Sequence, residues 1–352
     1  MTALSEFTSV PVVDVAALRD GSPAARERVA RELERAAREV GFLYVTGHGV
    51  PQRLFDNLLA VTREFFARPL ERKMAVYIGR STNHRGYVPI GEEVFYAGSK
   101  DIKEAFDLSI DLPAGDADYV AGNPLLGPNQ WPDVEGFREA VDEYYTAALS
   151  FGRTLLRGFA AAMGEQPTAF DAFVTKPPSQ LRLIHYPFNP AAQDSMGIGA
   201  HTDYECFTLL HPTAPGLELL NGAGTWVDVP PIPGTYVVNL GDMMELLTNG
   251  EFVATSHRVR RVQEERYSFP LFFSFDYWTT VAPLPRFVSA EKPARAGLVA
   301  GEHLFAQTAQ SFAYQKQRLA RGEIRLPQRT LGLSSFGQEA LARTVRADTE
   351  PR

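Results

Sequence analysis

The sequence predicts an α+β protein whose β-part is a two-sheet sandwich or jelly roll. Three observations lead there. Before residue 164, apolar residues recur at helical spacing over several long stretches. After Pro178 the texture changes to short β-prone runs separated by Gly, Pro and Asn, continuing to about Pro285. Beyond that, helical character returns over Glu302 to Arg321.

The elements follow in order. Val10 to Val15 reads as a short strand. Ser22 caps a helix with Pro23 at its first position, running through Ala24 to about Val40. Gly41-Phe42-Leu43-Tyr44-Val45 reads as a buried strand. Pro51 to Ala67 is an amphipathic helix, with Leu54, Leu58, Val61 and Phe65 at spacings of three and four. From Gly79 to Asn129 the chain is rich in turn formers and short strands at best are expected. Val134, Phe137, Val141, Tyr145, Leu149, Leu156 and Phe159 then make one long helical stripe. The strands of the β-core are expected at Leu181–Tyr186, Phe207–Leu210, Leu217–Leu220, Thr235–Leu240, Ser256–Val262 and Ser268–Phe275, with a short helix over Gly241 to Leu247.

Composition narrows the function. At 352 residues, 45% hydrophobic and 22% charged, the chain can build a large core. A net charge of −7 gives no reason to expect nucleic acid, and Arg258, Arg260 and Arg261 alternate with valines as on a half-buried strand. The single cysteine, Cys206, cannot form an intrachain disulfide and is read as a packed thiol in a reducing compartment. The opening stretch lacks the basic start and apolar core of a signal peptide, and no apolar run reaches membrane-spanning length. A cytoplasmic protein without membrane contact is the expectation.

The chemistry lies in His201-Thr202-Asp203 with His257 far downstream. Residues i and i+2 of a strand project to one side, so His201 and Asp203 can share an ion while Thr202 points away. On a helix the two would lie about 200° apart and could not chelate. Two imidazoles and one carboxylate leave the opposite face of a metal open, as in non-haem iron(II) oxygenases. An HxD tripeptide alone is weak evidence, and His257 could simply cap a strand. Arg266 and Ser268 are again i and i+2, so a guanidinium and a hydroxyl can hold one carboxylate, a contact contributing roughly 1.5–3 kcal/mol. The plain alternative pairs Arg266 with Glu264 or Glu265. Together, in this order, the features point to iron(II) and a 2-oxo acid. His48, His84, His211 and His303 are expected to be structural, the second and fourth in polar surroundings.

The chain resembles the isopenicillin N synthase-like family of iron(II)/2-oxoglutarate-dependent oxygenases over nearly its whole length. The resemblance rests on Val10-Pro11-Val12-Val13-Asp14, Gly41 to Val45, Gly47-His48-Gly49-Val50, Phe65-Phe66, Glu71-Arg72-Lys73, Gly199 to Asp203, Gly241-Asp242, Thr248-Asn249-Gly250, His257-Arg258-Val259 and the Arg-x-Ser at Arg266 and Ser268. Gly91-Glu92-Glu93-Val94 and His201 to Tyr204 are closer to bacterial members. The resemblance implies a distorted double-stranded β-helix (jelly roll) core with flanking N-terminal and C-terminal helices. It divides the chain into an α-rich region 1–175, the oxygenase core 176–290 and a C-terminal helix and tail 291–352. It implies iron(II) on His201, Asp203 and His257, 2-oxoglutarate as co-substrate on Arg266 and Ser268, and dioxygen as oxidant. Where plant members carry an asparagine in the strand before the metal motif, this chain has Ile184. Tyr186 matches a tyrosine of the family that contacts a carboxylate, and Arg182, on the same strand face, is expected as a second cationic anchor.

The substrate is expected to be a small molecule, an amino acid or other carboxylate, met by Tyr204, Phe273, Phe275, Tyr87 and Arg85. The expected activity is a dioxygenase that hydroxylates, desaturates or cyclises its substrate, releasing succinate and carbon dioxide, in natural-product biosynthesis. Three alternatives compete: an oxidase of the same fold that uses no 2-oxo acid, a metal-binding jelly roll without catalysis, and a zinc hydrolase.

Overall fold

A computed structural model describes residues 5–93, 102–188, 197–260 and 264–327, and every count below refers to these. Twelve strands build two facing sheets: β1 Val12–Asp14, β2 Phe42–Thr46, β3 Gly86–Val88, β4 Glu104–Leu108, β5 Gln180–Tyr186, β6 Ile198–His201, β7 Phe207–Pro212, β8 Leu217–Leu220, β9 Trp226–Asp228, β10 Tyr236–Leu240, β11 His257–Val259 and β12 Arg266–Phe273. The major sheet runs β1-β2-β10-β7-β12-β5-β4-β3 and the minor sheet β6-β11-β8-β9. A two-stranded ribbon, β13 Thr280–Val281 with β14 Leu298–Val299, stands apart. Every pairing within the major sheet is antiparallel except β1 with β2. This is the jelly-roll core that the sequence predicts.

Strand alternation divides the major sheet into two faces. The outer face is aliphatic and aromatic: Leu43, Val45, Val238, Leu240, Phe207, Leu209, Phe269, Leu271, Phe273, Leu181, Leu183, Phe106 and Leu108 belong to one continuous core. The helices Pro23–Glu39, Gln52–Ala67 and Phe137–Ala162 supply the rest of that core through their buried stripes. Gly152 lets the longest helix settle directly onto the Phe273 ring, which a larger side chain would strike. The inner face looks at the minor sheet through two separate apolar clusters. Phe42, Tyr44, Val237 and Leu210 pack with Leu217 and Leu219 at one end. Ala105, Ile184 and Tyr186 pack with Ile198 and Val259 at the other. The gap between those clusters holds the polar side chains described next.

Several boundaries differ from expectation for identifiable reasons. The region before residue 176 is woven into the major sheet through β1, β2, β3 and β4. Glu104–Leu108 is a fully buried strand, although Glu104 and Asp107 make it look surface-like. Their charges are matched by Lys73 and Arg182. The expected C-terminal helix breaks at Phe312 into Ala300–Ser311 and Ala313–Ala320. Phe312 adopts an extended backbone there and packs into the inner cluster beside Tyr314. The tail from Leu331 onward lies outside the described residues, as do Val94, Arg261 and Val262. No described helix is long and apolar enough to cross a membrane.

Candidate metal centre

β6 and β11 are antiparallel neighbours with His201 directly opposite His257. The pairing brings the two imidazoles together, ring centroids 4.3 Å apart and planes inclined by 50°. β6 ends at His201, so Asp203 is not on the strand as the i, i+2 reading assumed; it sits two residues past the strand end. The convergence survives because the turn leads Asp203 back toward the histidines. Asp203 Oδ1 lies 3.6 Å from His201 Nε2 and 3.6 Å from His257 Nε2. All three ligand atoms fall within 4.8 Å of one another, and no other such group of His, Cys, Asp and Glu is found among the described residues.

Each ligand is oriented by a second contact. His201 donates from Nδ1 to the Gly199 carbonyl at 2.8 Å, and His257 from Nδ1 to the Thr255 carbonyl at 3.2 Å. A proton fixed on Nδ1 makes Nε2 the unprotonated, metal-binding nitrogen, which is the state a metal requires. Asp203 Oδ2 accepts from the Thr208 hydroxyl and, at 2.6 Å, from Asn239 Nδ2, so Oδ1 alone faces the histidines. Thr208 and Asn239 are register partners on β7 and β10, both on the inner face. Burial, then the neighbouring His257, pulls His201 down to about 4, which keeps it neutral. Burial would raise the Asp203 carboxyl, but the two imidazoles and the bonds from Thr208 and Asn239 outweigh it and hold its pKa below the ordinary value. A neutral His201, an ionised Asp203 and imidazoles oriented through Nδ1 fit a divalent ion of the iron or zinc type.

Across the gap, Arg266 is 1% exposed. Its Nε donates to the Ala214 carbonyl at 3.1 Å and its guanidinium carbon lies 4.7 Å over the Tyr186 ring. Nη1 is buried with no hydrogen-bond partner. Glu264 and Glu265 do not take it; Glu265 accepts from His185 Nε2 instead. A buried guanidinium with an unused donor is a cradle for a carboxylate. Ser268, buried and opposite Ile184 and Pro212, lies next along the same face. These residues fit the distal carboxylate of a 2-oxo acid reaching from the metal.

The remaining expected residues separate. Arg182 is spent on other partners: Nε and Nη2 grip Asp107 at 2.7 and 2.8 Å, and Nη1 grips Glu93 at 3.0 and 3.1 Å. It belongs to a buried charge cluster with Lys103, which pairs with Glu93 at 2.8 Å, and is not the free anchor that the sequence reading gave it. Tyr204 follows the metal aspartate and is half-buried; burial, then Asp242 and Glu93, push its phenol well above the ordinary value. Phe273 and Phe275 do not face the metal. Phe273 stacks on Phe207 at 4.8 Å in the outer core, and Phe275 packs on Phe170. Tyr87 is also on the outer face, its hydroxyl donating to Glu104 at 2.6 Å. Arg85 is buried and does not reach the metal, with Nη1 donating to the Asn83 and His84 carbonyls and Nη2 to Leu125. His84 and His303 are likewise wholly buried, yet each faces a polar group: His84 Nδ1 lies 2.5 Å from the Tyr314 hydroxyl and His303 Nε2 3.5 Å from Asp242 Oδ2.

Sequence reasoning missed Phe272. It is inner-facing and partly exposed, opposite Thr208, which holds the metal aspartate, and opposite Gln180. The signal was available: the alternation that puts Arg266 and Ser268 together also selects 272 and rejects 273 and 275. Glu93 and Lys103 were missed as well, because their partner Arg182 is far away in the chain.

Comparisons with known proteins show the family. Residues 10–134 match the family model described as non-haem dioxygenase in morphine synthesis N-terminal, and residues 177–275 match the 2OG-Fe(II) oxygenase superfamily. The chain is 33% identical over 331 residues to homoarginine-6-hydroxylase 2-ODD-C23.1 of Arabidopsis thaliana, covering 88% of this chain and 99% of that one. It is 33% identical over 298 residues to clavatol oxidase claD of Penicillium crustosum, covering 78% and 88%. A 2OG-Fe(II) oxygenase family protein of Caulobacter crescentus superimposes with TM-score 0.75 at 29% identity, covering 90% and 99%. The dioxygenase for auxin oxidation of rice superimposes with TM-score 0.67 at 26% identity, covering 92% and 99%. Relatives thus come from plants, a fungus and a bacterium, and do not single out bacterial members.

Proposed function

The chain belongs to the 2OG-Fe(II) oxygenase superfamily, and from that premise we propose how its own residues divide the work. His201, Asp203 and His257 would hold iron(II), and Arg266 with Ser268, backed by Tyr186, would hold the far carboxylate of 2-oxoglutarate. When bound, iron(II) with 2-oxoglutarate and dioxygen supplies the oxidising power, one oxygen atom going to succinate, which forms with carbon dioxide, and the other to the substrate. The observation that carries the assignment is the pairing of a three-ligand cluster with a buried, incompletely bonded guanidinium on one inner face.

The protein's contribution is placement and exclusion of water. Thr208 and Asn239 aim the carboxylate ligand, while the Gly199 and Thr255 carbonyls aim the imidazoles. The Arg266 guanidinium carbon stands 4.7 Å over the Tyr186 ring, a cation–π contact that favours the cation while Nη1 keeps its donor unused. Phe272 and Tyr204 would wall the chamber where the substrate meets the metal.

The substrate is read as a small polar molecule carrying charge, an amino acid or related carboxylate, and the reaction as hydroxylation. Four buried ionic side chains, Glu93, Lys103, Arg182 and Asp107, cluster at the inner face, Arg182 two residues before the Ile184 that stands opposite Ser268. Apolar residues would fill that volume at lower desolvation cost, so a recognition role accounts for the charges better than stability does. Glu93 acts electrostatically on Tyr204 and Lys103 on His201, so the cluster's charges are felt at the metal chamber. A relative named for homoarginine hydroxylation supports the same class. The test is succinate release from 2-oxoglutarate with a panel of basic and neutral amino acids against uncharged phenols. Stimulation by an amino acid, with one succinate per product, is expected. Product without succinate would point to an oxidase needing no 2-oxo acid, and stimulation by phenols alone would remove the charged-substrate reading.

A further inference from the structure

His303 is 0% exposed and stands in the first turn of the helix Ala300–Ser311, edge-on to Tyr204 at 6.1 Å. Neither ring nitrogen has a hydrogen-bond partner among the described residues. A leucine of similar size would fill this space without burying two polar nitrogens, so packing does not account for a histidine here. The charged group within reach is Asp242, whose Oδ2 lies 3.5 Å from His303 Nε2.

Asp242 is a strut for the metal loop. Its backbone N–H donates to the Asp203 carbonyl at 2.9 Å, and its Oδ1 accepts from the Thr202 hydroxyl at 3.1 Å. On either side, Gly241 N–H donates to the Cys206 carbonyl at 2.9 Å and Met243 N–H to the Glu205 carbonyl at 3.2 Å. Three backbone bonds therefore lace 241–243 to the turn that swings Asp203 out of β6 and toward the histidines. Gly241 permits the lacing, since any side chain there would strike the Glu205 carbonyl. The turn has no regular strand partner where it carries the ligand, so its position depends on this strut.

We infer that His303 is a positioning residue for the metal centre, fixing Asp242 Oδ2 and through it the loop that presents Asp203. It touches neither metal nor substrate. The C-terminal helix thereby becomes part of the metal site's support, and the inference rests on the metal assignment above. Residues that orient a metal ligand typically change affinity by about 10–100-fold when removed.

The test is Mn(II) binding to the full-length, metal-free protein, followed by electron paramagnetic resonance, with thermal melts alongside. His303→Leu should weaken Mn(II) binding by about tenfold or more with the melting curve near wild type, and His303→Gln, which keeps a donor, should recover most of it. Thr202→Val should weaken binding in the same direction, and the double variant should lose less than the two separate losses combined. If His303→Leu does not fold, Asp242→Asn probes the same link and should also weaken binding. A folded His303→Leu or Asp242→Asn protein with wild-type Mn(II) affinity would overturn the inference while leaving the metal assignment standing. A wild type that binds no Mn(II) would overturn both.

Discussion

Strand β12 presents two faces with opposite character. Toward the helices, Tyr267, Phe269, Leu271 and Phe273 are buried in a closed core, Phe269 edge-on to Phe55 and Phe273 stacked on Phe207. Toward the minor sheet, Arg266 keeps a donor unused and Phe272 remains partly exposed. One backbone serves both, and the difference is whether contacts are completed within the protein. The outer face gains stability from contacts already made. The inner face gives some of that up, holding groups whose partners must come from outside.

The comparison can be broken from either side. The largest effect is expected for His257→Ala, which should remove 2-oxoglutarate turnover and metal binding to below detection while the melting curve stays near wild type. Loss of folding instead would show that the inner face carries stability after all. Next comes Phe273→Ala, expected to cost about 3–5 kcal/mol of stability in denaturant unfolding, with substrate KM unchanged in the folded fraction. Arg266→Met should weaken 2-oxoglutarate binding by roughly 1.5–3 kcal/mol, about 10- to 150-fold by calorimetry, with stability unchanged or higher because a buried cation is gone. The smallest is Phe272→Ala, expected to change kcat/KM for the substrate by an amount on the order of 1 kcal/mol with little change in melting temperature. If Phe272 and Phe273 exchanged behaviour, the division of faces would be wrong.

How much was legible in the sequence depended on whether a property was local. The helices at 23–39 and 52–67 follow from spacing and from Ser22 accepting from the Ala25 N–H. The metal set was legible because a histidine and an aspartate two residues apart and one distant histidine fit a single chemistry. The strand geometry offered for Asp203 was nevertheless incorrect, since β6 stops at His201 and the loop does the aiming. Phe273 and Phe275 were misassigned through phase: adjacent residues on a strand face opposite ways, and hydrophobicity alone does not say which side is the pocket. Arg182 could not be read correctly, because its partners Asp107 and Glu93 lie on other segments and only the fold brings them together. The same holds for Glu104–Leu108, whose two acids look exposed until Lys73, His185 and Arg182 are set beside them.

The central claim is that metal and 2-oxo acid share one inner-face site, three ligands holding the first and Arg266 the second. Anaerobic calorimetry of 2-oxoglutarate against metal-loaded and metal-free protein tests it most directly. One molecule should bind per chain when the metal is present and markedly more weakly without it, and His257→Ala should behave as metal-free although Arg266 is intact. Equal binding with and without metal would contradict the account.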